Sequence, residues 1–248
     1  MKLRTIFTLT LVVPLVSACG ALPDLSGLTG ETPVAGSGNV VTEEFDLSGF
    51  DQLEVSSAFQ VEVQQGDAFS VVVRVDDNVK PYLDVVKQGS TLRVGLRPLS
   101  LGGVSIATLE ADVIMPALAG LELSGASAVS VTGFESAEAL FVEASGASSL
   151  GGDIAAGGVR VNVSGASQVR LSGSGEDLVM DVSGGSSVDL GDFPVAYANV
   201  EVSGASSATV NVTGRLDAEA SGAARLRYRG SPTLGRVESS GGASIEAW

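Results

Sequence analysis

The chain has 248 residues, with 14 basic side chains against 29 acidic ones, a net charge of −15, a single cysteine and no histidine. Such an acidic surface makes nucleic acid and anionic lipid headgroups poor partners, and without histidine the commonest general base and metal ligand is missing. Thirty-two glycines among plentiful β-branched aliphatics indicate an all-β chain with many tight turns rather than a disordered one.

Residues 1–18 have the order of a secretory signal: Lys2 and Arg4, an apolar run from Ile6 to Val16, then small Ser17 and Ala18. The run is too short for a stable membrane span. Val16-Ser17-Ala18-Cys19 resembles the bacterial lipobox, which implies cleavage before Cys19 and lipidation of its thiol. Each buried methylene of a lipid chain contributes about 0.8 kcal/mol, so two or more chains hold a protein stably on a bilayer. With its one thiol lipidated, the chain has none left for a disulfide. Residues 19–38 then read as the lipidated Cys and a flexible Gly/Pro/Ser/Thr-rich tether. The expected place is outside the cytoplasm, membrane-anchored. Gly20 lacks the Asp that marks inner-membrane retention, which favours the outer membrane in a Gram-negative cell.

Residues 39–248 form the folded domain. From Asn39 to about Met115 the pattern alternates as in strands: Val40-Val41-Thr42, Leu53-Glu54-Val55, Phe59 to Val63, Ser70 to Val75 and Thr91 to Leu96. Turns are expected at Gln65-Gly66-Asp67 and Gln88-Gly89-Ser90. Asp77 to Leu83 reads as a single helical turn that Pro81 keeps short.

A repeat follows. Ser-Gly-Ala-Ser, or a close variant, places Gly at 125, 146, 165, 184, 204, 222 and 241, with spacings of 21, 19, 19, 20, 18 and 19. This period predicts a β-solenoid with coils of about 19–20 residues. Four before the Gly stand Leu121, Val142, Val161, Met180, Val200, Ala218 and Val237; four after it stand Val129, Leu150, Val169, Val188, Ala208, Leu226 and Ile245. Even offsets therefore point inward and odd offsets outward, and stacked coils bury what one coil cannot. The Gly supplies a positive φ or a close approach at a bend.

Two columns are candidates for function. Ser127, Ser148, Ser167, Ser186 and Ser206 stand two after the Gly. With no base nearby and five equal copies, they read as a structural ladder rather than as nucleophiles. Three before the Gly stand Glu122, Glu143, Asn162, Asp181, Glu201, Glu219 and Glu238. This stripe reads as a solvated face, with a weak divalent-cation strip or a face for a basic partner as the alternatives. At roughly 4.8 Å spacing, adjacent carboxylates repel by at most about 1 kcal/mol in water, less than the burial of one aliphatic side chain returns.

No cofactor motif survives inspection. Gly173-Ser174-Gly175 lacks the Lys-Ser or Lys-Thr of a phosphate loop, and the calcium-binding nonapeptide is absent. Phe45 to Val55, then Phe59 to Asp67, then the Ser-Gly-Ala-Ser series resemble the head GIN domain of auto-transporter adhesins, a domain family of unknown function, over about residues 40–248. Ser57 stands where that family usually has Gly. The resemblance implies a right-handed parallel β-helix, exported and often lipid-anchored.

The expected function is a non-enzymatic envelope module that contacts a polymer or a surface protein. A carbohydrate-active β-helix enzyme, lyase or hydrolase, is the alternative. It is disfavoured by the missing histidine, by arginines scattered over different columns and by an expected near-absence of exposed aromatics. The expected partners are the membrane, through the lipid anchor, and an envelope polymer or surface protein. A last coil without an obvious polar cap invites self-association.

Overall fold

The computed structural model describes residues 33–97, 103–105 and 107–248. The expected signal, the lipidation site Cys19 and tether residues 19–32 lie outside the described residues.

The repeat folds as its two-residue alternation requires. Strands Gly120–Leu123, Leu140–Ala144, Gly158–Val163 and Asp177–Val182 stack in parallel as one face. Strands Ala128–Glu135, Ser149–Ala155 and Gln168–Ser174 stack as the next. The long strands Ser187–Val202 and Ser207–Ala220 run round a corner and continue both faces. The molecule is a β-solenoid of stacked coils.

Register converts the sequence columns into rungs. Leu53, Leu121, Val142, Val161, Met180, Val200 and Ala218 are successive partners, and all are buried. Each such side chain taken from water stabilises the stack by about 1.5–3 kcal/mol for the larger aliphatics. Coils therefore hold one another through a single continuous core.

The bends explain why a Gly recurs once in every coil. All seven repeat glycines have positive φ, from +63° at Gly125 to +76° at Gly184. A Cβ on Gly165 would lie 2.5 Å from the Gly146 carbonyl oxygen one coil earlier. That carbonyl accepts the Ala166 amide at 2.8 Å, and the Gly165 carbonyl accepts that of Gly185 at 2.8 Å. Only glycine satisfies both the dihedral and the approach.

Upstream, residues 52–65 form a coil of the same kind that the repeat alignment does not include. Gln52–Val55 pairs in parallel with Gly120–Leu123, and Gln60–Gln65 with Ala128–Glu135. Its bend is made by Ser57 and Ala58, both at φ +63°. The missing glycine therefore leaves the bend geometry intact.

The N-terminal region departs from a purely parallel helix. Val40–Glu44 and Leu109–Met115 both pair antiparallel with Ser70–Asp76, and Leu83–Gln88 forms a hairpin with Thr91–Leu96. The turn at Gly89, φ +62°, makes that hairpin possible. The short helical turn is a 3-10 turn at Lys80–Tyr82.

Residues 33–38, read from composition as the end of the tether, are tied to this region. Val34–Ala35 pairs with Val104–Ser105. The Gly38 and Thr108 amides donate to the buried Asp76 carboxylate at 2.6 and 2.7 Å, and the Ser37 hydroxyl donates to Asp77 at 2.6 Å. At the other end, strand Thr233–Ser239 is exposed along its length.

Candidate functional site: an acidic sheet face with a cleft

The outward acidic column is a true ladder. Glu122, Glu143, Asn162, Asp181, Glu201, Glu219 and Glu238 are successive register partners, and all are exposed. The ladder also extends further than the repeat. Glu54 is the partner of Glu122, and Arg93 is the partner of Glu54.

Cations answer the ladder only at its ends. The Arg93 Nε donates to Glu54 at 3.0 Å, while Arg236 lies 2.7 Å from Glu238 and 3.7 Å from Glu219. Among the described residues, no Lys or Arg lies within ion-pair distance of Glu122, Glu143, Asp181 or Glu201. Burial, then the Glu54 and Glu143 charges, push the Glu122 carboxyl above its usual range, and Arg93 offsets this in part. At the far end, the Arg236 hydrogen bond pulls Glu238 below its usual range.

Side chains that project in parallel from neighbouring strands do not converge on a point. Accordingly, no group of three or more Asp or Glu among the described residues is disposed to hold a metal ion. The ladder is a charged sheet face.

A cleft of about 370 Å³ opens beside the charged end of this ladder. It follows from one row, five residues before the repeat Gly, in which Gln52, Gly120, Phe141 and Arg160 are successive partners. Gly120 has no side chain, so the row has a gap between Gln52 and Phe141. Glu54, Glu122 and Glu143 line one side, and Gln88, Thr91 and Arg93 close the end. Phe141 is 54% exposed, an unusual state for a large apolar ring on a strand. The Arg160 guanidinium sits over that ring, 5.9 Å from its centre.

The serine column lies inside. Ser127, Ser148, Ser167, Ser186 and Ser206 are each 2% exposed or less. The Ser127 and Ser148 hydroxyls donate to the Ser124 and Ser145 carbonyls of their own bends, both at 2.8 Å. No solvent-borne substrate reaches these hydroxyls, and the column is part of the core.

Sequence columns thus located Glu122, Glu143, Asp181, Glu201, Glu219 and Glu238 and the structure aligns them, but the cleft was not anticipated. Its signal was present: Phe141 occupies an odd, outward offset, and Gly120 precedes it in the same column. Exposed aromatics are also more numerous than the sequence suggested, with Tyr197 at 59% and Trp248 at 62%.

The family model described as "putative auto-transporter adhesin, head GIN domain" matches residues 49–232. No curated protein sequence matches the chain. Among solved structures, a "putative adhesin" from Bacteroides fragilis superposes with a TM-score of 0.80 at 17% identity, covering 87% of this chain and all of that one. A "putative lipid binding protein" from Parabacteroides distasonis gives a TM-score of 0.68 at 19% identity over 88% of this chain and all of that one. A "putative adhesin" from Parabacteroides merdae gives 0.66 at 16% identity, covering 88% of this chain and 99% of that one. At these identities the likeness is one of fold.

Proposed function

The chain belongs to the head GIN domain family of auto-transporter adhesins, and we propose on that premise that it is a non-enzymatic binding module displayed on the cell envelope by a lipid on Cys19. The observation that carries this reading is the single outward face on which an acidic ladder borders a cleft holding an exposed aromatic ring. Contact needs a rigid, preformed surface, and stacked strands supply one whose side chains stand in fixed register. The signal-like residues 1–18, the lipobox-like Val16 to Cys19 and the acidic composition support export and surface display. No helix among the described residues is long and apolar enough to cross a membrane, so attachment by lipid is consistent with the fold.

The cleft gives the carbohydrate-active alternative one observation in its favour, the raised Glu122 carboxyl between two others. The geometry weighs against it. Glycoside hydrolysis places its two carboxyl groups on opposite sides of the scissile bond, about 5–9.5 Å apart. Glu54, Glu122 and Glu143 instead stand side by side on consecutive rungs and approach a ligand from one side.

The test is co-sedimentation of the purified protein with envelope fragments of the bacterium that makes it. Saturable binding at micromolar protein is expected, and no binding above an unrelated acidic protein would contradict the reading.

A further inference from the structure

We propose that the cleft over Gly120 is a subsite for one pyranose ring of an uncharged or amino-bearing polysaccharide. The inference rests on the binding-module reading and names its ligand class.

The slot has the dimensions of one ring. Gln52 and Phe141 lie two strands apart in one row, so their backbones stand about 9.6 Å apart, and the Gln52 side chain leans toward Gly120 from its own side. The cleft of about 370 Å³ that opens there leaves room for a saturated ring between the Gln52 amide and Phe141. A peptide backbone would find no free strand edge, because every strand here is paired on both sides.

The chemistry of the walls fits the same ligand. Arg160 lies over the Phe141 ring, and both side chains line the slot. The C–H edges of a pyranose carry partial positive charge and pack against the negative face of an aromatic ring. Carboxylates are pure acceptors, so Glu54, Glu122 and Glu143 are suited to pairs of hydroxyl donors, while Gln52, Gln88 and Thr91 can both give and accept. Glu122 gains from such a donor, because burial and its neighbours already penalise its charge. Three carboxylates against Arg93 and Arg160 leave the lining net negative, which disfavours uronic acids, sialic acids and phosphorylated sugars.

Two variants isolate the slot. Gly120 does not have positive φ, and a Cβ there meets only the flexible Gln52 side chain, at 3.2 Å. Gly120→Val therefore fills the gap while suiting the strand. Phe141→Ala removes the platform from an exposed position. Co-sedimentation is measured with whole envelope fragments and with the polysaccharide left after lipid extraction and protease digestion. The expected result is equal binding to both materials, weakened about tenfold or more by either variant, with melting temperatures unchanged. Binding to whole fragments that protease abolishes, or that Gly120→Val leaves unchanged, overturns the sugar subsite and leaves the binding-module reading standing. No binding to whole fragments overturns both.

Discussion

Glu54 and Glu122 are direct register partners, and among the described residues only Glu54 of the two is answered by a cation, at 3.0 Å from Arg93. Glu122 is left facing two carboxylates, Glu54 and Glu143, with its own charge partly desolvated. Its folded pKa is therefore raised above the unfolded value. For a carboxyl group this sign means that ionisation costs stability once pH exceeds the folded pKa. The cost vanishes as pH falls below the unfolded value, about 4.3.

Glu122→Gln should therefore stabilise the fold at pH 7 and leave it unchanged at pH 3. The face is solvent-screened, so the gain should not exceed about 1 kcal/mol. Urea denaturation at the two pH values measures it. Equal effects at both would mean that packing rather than charge governs the site.

The bends should discriminate between two kinds of glycine. Gly165 and Gly133 have nearly the same φ, +74° and +79°, but a Cβ on Gly165 meets the Gly146 carbonyl whereas one on Gly133 meets nothing within 4 Å. Gly133→Ala should cost about 1–2 kcal/mol from the dihedral alone. Gly165→Ala should cost at least about 2 kcal/mol more, because two backbones must part. Chemical denaturation of the two variants makes the comparison.

The buried serines should respond according to their hydrogen bonds. The Ser148 hydroxyl donates to Ser145 at 2.8 Å, while those of Ser167 and Ser186 have no partner among the described residues. Ser148→Ala should cost about 1 kcal/mol. Ser167→Ala removes an unsatisfied buried hydroxyl and should be neutral or stabilising. Neither should change binding to envelope fragments.

Cys19→Ser tests the anchor. Wild-type protein made in a bacterial host should incorporate radiolabelled palmitate and fractionate with membranes. The variant should incorporate none and appear in the soluble fraction, since a single lipid chain already holds only marginally and no chain does not hold at all.

Most of the fold was legible because the repeat is physical. One Gly per coil fixes the bend, and alternation fixes which side chains enter the core, so Leu121 or Val161 could be placed inside from spacing alone. The coil at residues 52–65 escaped the alignment because Ser57 replaces the marker glycine, although it keeps the same φ. The antiparallel cap was hidden for another reason. Alternation gives the face of Ser70–Asp76 but not the direction of its neighbours, which long-range pairing decides. The acidic ladder was readable as a column. Its charge imbalance was not, because Arg93 meets Glu54, and Glu54 meets Glu122, only through register. The cleft depends on a missing side chain, at Gly120, and a pattern search for functional groups does not register an absence.

Whether this face binds without turnover is the central question, and one assay addresses it most directly: release of reducing ends or unsaturated products from envelope polysaccharide during saturating binding. The account predicts saturable binding with no product above the protein-free control. Steady product release that Glu54→Gln or Glu122→Gln abolishes would contradict it and make the acidic face an active site.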